Sequence, residues 1–119
     1  MTISSQHLTV LTTIFLLVTS STTDADDTTQ TFLKKNCIRC HGSDKQKADR
    51  RFDTLPAKIT TLDDLERYQE IVDQLNLESM PPEGEPQPTA AERAKTIAHL
   101  TRQLTAAHAK LNTSGQHTV

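Results

Sequence analysis

Two stretches of the chain repeat their apolar residues with the period of an α-helix. Over residues 61–76, Leu62, Leu65, Tyr68, Val72 and Leu75 fall three, three, four and three positions apart, which makes one stripe along a helix. Thr61 precedes the stripe as an N-cap, and Asp63 and Asp64 suit the positive end of the helix dipole. Over residues 89–112, Ile97, Leu100, Leu104, Ala107 and Leu111 repeat at three, four, three and four. There Thr89 and Glu92 have capping-box spacing directly after Pro88. A shorter helix is predicted from about Thr28, capped by Asp27 or Thr28, with Phe32 and Leu33 as its apolar residues and Gly42 as its stop. Residues 43–60 keep no period, and Pro56 disfavours helix at Leu55. They read as a loop that turns Phe52, Leu55 and Ile59 inward. No strand-like alternation, internal repeat or glycine-rich phosphate loop occurs, so the fold class expected is all-α.

The N-terminal pattern is different. Residues 8–18 are apolar at eight of eleven positions and carry no charge. A run this short suits the h-region of an export signal, whereas a membrane-spanning helix needs about 20 mostly apolar residues. The preceding segment has no Lys or Arg, which is unusual for a signal. Cleavage is expected after Ser20 or Ala25, and no cysteine lies near either position for lipid attachment. An uncleaved anchor is the competing reading. The chain therefore divides into an export signal over residues 1–25, a single domain over 26–112 and a flexible polar tail over 113–119. Localisation is expected to be periplasmic, with no stable membrane span once the signal is removed.

Composition narrows the domain further. The chain is 34% apolar and 3% aromatic, with no Trp. That is thin for a small core that already buries a low fraction of its surface. A large apolar cofactor would fill the deficit. The net charge of −2 gives no reason to expect nucleic acid or an anionic membrane as partner. Charge is nonetheless uneven. Lys34, Lys35, Arg39, Lys45, Lys47, Arg50 and Arg51 outnumber Asp44 and Asp49, while residues 63–85 hold eight acids against Arg67. The basic collar would orient an acidic redox partner or offset the carboxylates of a cofactor; two plain solvated faces are the alternative.

The chemistry concentrates at Cys37-Ile38-Arg39-Cys40-His41. Two thiols about one helical turn apart face the same way and can bond the two vinyl groups of one porphyrin; the imidazole that follows is placed as an axial iron ligand. These are the only two cysteines in the chain. Downstream, Met80 precedes Pro81-Pro82, and residues 81–88 hold four of the five prolines. Proline fixes φ and removes a donor, so residues 76–84 are expected to be extended and stiff. A thioether held on such a strap suits a second axial position, and the only other methionine is Met1.

With Cys37-Ile38-Arg39-Cys40-His41-Gly42, Lys45-Gln46-Lys47, Arg51-Phe52-Asp53-Thr54-Leu55 and Met80-Pro81-Pro82-Glu83 in view, the chain resembles the planctomycete-type cytochrome c domain, a relative of class I cytochromes c, over about residues 30–110. The resemblance implies a small helical bundle around one covalently attached haem c, with the first and last helices crossing. It assigns Cys37 and Cys40 to thioether attachment and His41 and Met80 to the iron. The implied function is one-electron transfer with unidentified redox partner proteins, not enzymatic catalysis. Two departures stand out. Ala48 occupies a place where that family usually has glycine, and the family's domain usually heads a much longer protein, so a free-standing carrier and a piece of a larger protein are both open.

Two other functions use the same residues. A small-ligand sensor would release Met80 to admit a gas. A non-haem module would close Cys37 and Cys40 into a disulfide or use them for zinc, which needs two more ligands. His99 and His108, nine residues apart, fall on opposite faces of one helix and are expected at the surface; His117 lies in the tail. A thioredoxin-like role would require a βαβ pattern that the sequence lacks.

Overall fold

The computed structural model describes residues 25–115, with side chains from residue 28 to residue 113. Apart from Ala25, the export-signal segment lies outside the described residues, as do residues 116–119 of the tail. Three helices make up the fold: α1 (Ala25–Asn36), α2 (Leu62–Asn76) and α3 (Ala90–Gly115). There are no strands among the described residues, only one isolated bridge between His41 and Gln46. The all-α expectation holds.

Each helix is bounded by its own local chemistry. Thr61 caps α2 as expected by accepting from the Asp64 N–H, and the structure adds a reciprocal bond, the Asp64 carboxylate accepting from the Thr61 N–H to complete a capping box. At α3 the Glu92 carboxylate takes the Thr89 N–H at 2.9 Å while Thr89 Oγ1 takes the Glu92 N–H at 3.1 Å. Helix α1 departs from expectation. It begins at Ala25, so Asp27 and Thr28 lie inside it rather than capping it. Helix α3 likewise continues to Gly115, past the expected end at 112.

Helix α3 packs against both α1 and α2. The core joins Phe32 and Leu33 of α1, Leu55 of the loop, Leu65, Tyr68, Ile71, Val72 and Leu75 of α2, and Leu100, Leu104 and Ala107 of α3. Phe52 and Ile59 pack against it as the loop reading predicts. Leu62 is a correction, being 64% exposed as the first residue of its helix, and Ile71 joins the buried face instead. His99 is another. It is buried rather than superficial, because a helix covered by two neighbours buries a wider arc than one apolar stripe, here including Thr96 and His99. Its Nε2 and the buried Thr29 hydroxyl have no hydrogen-bond partner. His108 is exposed, as expected.

Candidate functional site

Helix α1 ends at Asn36, so the Cys37–His41 segment does not continue the helix as expected but forms a turn of its own. The Leu33 carbonyl accepts from both the Cys37 N–H (2.8 Å) and the Ile38 N–H (3.1 Å), and the Cys37 carbonyl accepts from both Cys40 (3.1 Å) and His41 (3.0 Å). The one-turn relation between the thiols survives in this local wrap. Gly42 does not stop a helix. It is buried against the preceding backbone, where a Cβ would lie 2.5 Å from the Ile38 carbonyl oxygen. Any side chain there would push the turn apart.

The chain then doubles back. Gly42 donates to the Lys45 carbonyl at 2.8 Å and Lys47 to the Cys40 carbonyl at 3.0 Å. Ala48 (φ 53°) and Asp49 (φ 55°) follow in left-handed conformation, which brings residues 50–52 alongside His41. The Phe52 N–H donates to the His41 carbonyl at 2.7 Å. The His41 Nδ1 lies 3.3 Å from the Arg50 carbonyl oxygen, and the Phe52 ring centroid is 4.9 Å from that of the imidazole. A carbonyl accepts only from a protonated Nδ1, so this contact selects the tautomer whose Nε2 lone pair is free for a metal.

Met80 arrives by a different route. The Ser79 N–H bonds the Gln74 carbonyl and the Glu78 N–H the Leu75 carbonyl, at 3.2 and 3.3 Å, with Glu78 at φ 53°. This is a Schellman ending for α2, and it aims the chain into the proline strap. The strap is not extended throughout as expected. Glu85 donates to the Pro82 carbonyl at 3.1 Å in a turn that places Gly84 at φ 89°, where a side chain would be strained. The Gln87 amide lies 3.0 to 3.1 Å from the carbonyls of Pro81, Pro82 and Glu85. From α3, Arg93 reaches the carbonyls of Leu75 (3.3 Å) and Met80 (3.0 Å) and the Gln87 side chain (3.2 Å). Sequence reading missed Gln87 and Arg93, and nothing in their spacing marks them.

Turn, loop, α2 and strap together enclose one cleft of about 420 Å³. Cys37, Cys40, His41 and Met80 all line it, with Phe52, Ile71, Leu75, Pro81, Pro82 and Pro86 supplying apolar surface. Lys35, Arg39, Arg50, Glu70 and Glu85 also line it, and among them Arg39 pairs with Glu85 and Arg50 with Glu70. Four members of the basic collar are thus neutralised locally, since Lys35 pairs with Glu92 and Arg51 with Asp53 as well. Met80 is 37% exposed.

The residues present fit a haem. Two thiols on one turn, an imidazole with Nε2 free and a thioether border a mainly apolar cleft, which is the donor set for thioether attachment and two axial bonds. The half-buried Cys37 thiol, surrounded by core atoms, is pushed up to about 12. A thiol-exchange centre needs the opposite, a lowered pKa. Among the described residues no three His, Cys, Asp or Glu side chains gather as a metal-binding group. No helix among them is long and apolar enough to cross a membrane.

Residues 37–84 match the family model described as Planctomycete cytochrome C. The match opens on the first cysteine and takes in His41, α2 and the Met80 segment, so it bears out the resemblance read from the motifs. Comparison with curated proteins and with solved structures gives no match.

Proposed function

We propose that this chain, whose central segment is similar to the planctomycete cytochromes c, is a c-type cytochrome that transfers single electrons through one covalently bound haem with His41 and Met80 as axial ligands. The observation that supports this reading is the convergence of Cys37, Cys40, His41 and Met80 on one apolar cleft from separate parts of the chain. When bound, haem c supplies the Fe(II)/Fe(III) couple. The protein's own part is to hold and shield it. Cys37 and Cys40 anchor the group, Phe52 and the Arg50 carbonyl orient the imidazole, and Gln87 with Arg93 keep the Met80 strap in place. With His41 and Met80 both holding the metal, substrate would be kept away from it, which suits a carrier more than an enzyme. The signal-like run over residues 8–18 supports an exported, periplasmic protein, as attachment of a haem to cysteines requires in bacteria. Its partners are redox proteins.

The test is co-expression with a haem-attachment system, followed by intact mass and a denaturing gel stained for haem. A mass equal to the polypeptide alone sinks the proposal. In the haem-loaded protein, Met80→Ala is expected to abolish the weak far-red band of thioether-to-iron(III) ligation. Carbon monoxide added to the reduced parent is expected to leave the spectrum unchanged; ready binding would transfer the assignment to a gas sensor.

A further inference from the structure

We infer that Glu70 of α2 is a positioning residue for His41, acting through Arg50. This rests on the proposed haem ligation and extends it to a residue that no motif contains. The contact that orients the imidazole is made by a backbone carbonyl in a loop, and a loop carbonyl stays in place only if something holds the loop. Three successive residues are tied here. The Arg50 guanidinium Nε sits 2.8 Å from both carboxylate oxygens of Glu70. Arg67 Nη2 donates to the Arg51 carbonyl at 2.8 Å. Phe52 donates its N–H to the His41 carbonyl. Arg67 and Glu70 lie three apart on α2 and so share one face of it. Helix α2 thereby clamps residues 50 and 51, and the clamped carbonyl keeps the proton of His41 on Nδ1. Loss of the Glu70 charge frees the Arg50 side chain and lets its carbonyl move away from the ring.

The experiment reads the Nδ1 proton itself. Exchange of the His41 Nδ1–H with solvent is followed by NMR in the reduced, haem-loaded protein at one fixed pH. Glu70→Gln is expected to accelerate it roughly two- to fivefold, the range an exposed ion pair can supply. The double variant Arg50→Glu with Glu70→Arg is expected to restore the slow rate. Glu85→Gln removes the same charge from the same cleft, where Glu85 pairs with Arg39, and is expected to leave exchange at the parental rate. A Glu70→Gln protein that exchanges as slowly as the parent overturns the inference, as does equal acceleration by Glu85→Gln. Intact mass separates this failure from failure of the haem reading. A haem-loaded parent with unchanged variants defeats only the role of Glu70, whereas a parent without haem defeats both.

Discussion

Ala48 occupies a backbone region that side chains resist, at φ 53° and ψ 32°. It is also the position where the resembled family usually has glycine, and the backbone supplies the reason: the return of the loop toward His41 needs a left-handed residue there. A Cβ in that region costs about 1–2 kcal/mol, and the extra freedom of glycine in the unfolded chain returns about 0.4–1 of it. Ala48→Gly is therefore expected to stabilise the protein by about 0.5–1 kcal/mol, read as a higher urea midpoint with an unchanged slope. Gly42 shows the converse. Its φ needs no glycine, but the 2.5 Å approach of a Cβ to the Ile38 carbonyl does.

Among the helices, α2 is specified at both ends, and the ends differ in quality. Its start is a full capping box in which burial raises the Asp64 carboxyl but bonds from Thr60 and Thr61 outweigh this and hold it below the usual range. Its finish is a Schellman motif that carries glutamate where glycine is usual, with a negative charge beside the negative end of the dipole. Glu78→Gly should raise stability by about 1 kcal/mol in chemical denaturation, and Glu78→Gln should recover only the part due to charge. Helix α3 makes a pH-dependent contribution. The Lys35 ammonium and the Thr89 donors hold Glu92 at about 2, below its ordinary 4.5. A depressed carboxyl stabilises fully above the unfolded pKa and loses that effect as pH falls from 4.5 through 2. Denaturation midpoints of Glu92→Gln should accordingly fall below those of the parent at neutral pH and converge with them over that window.

For the molecule as a whole, one side chain joins most of the parts. Tyr68 is 1% exposed; its hydroxyl donates to the Pro56 carbonyl at 2.6 Å and accepts from the Gln30 amide at 3.2 Å. It thus connects α2 to the loop and to α1. Tyr68→Phe keeps the packing but removes both hydrogen bonds, at a cost of about 0.5–1.5 kcal/mol for each. The expected result is a lower melting temperature. Survival of the parental melting temperature would show that water satisfies those groups.

Much of this was legible along the chain. The stripes of α2 and α3, the Thr61 cap, the Thr89–Glu92 box and the cysteine–histidine motif depend on neighbours within about one helical turn, and such local relations are written directly in residue spacing. Met80 stands out as a candidate for the same reason, since stiffness is local and comes from Pro81 and Pro82. What the sequence could not disclose were relations between a side chain and a distant backbone. The carbonyl of Arg50 that orients His41, the carbonyl of Met80 held by Arg93, and the burial of His99 have no residue-type signature, since every residue carries the same carbonyl and the pattern alone does not say how much of α3 its neighbours cover. The arrest of α1 at Asn36 belongs with them. The sequence by itself determined which atoms are candidates for the proposed haem; only the tertiary structure decided that they border one cleft, because bringing together residues this far apart depends on how three helices share a core.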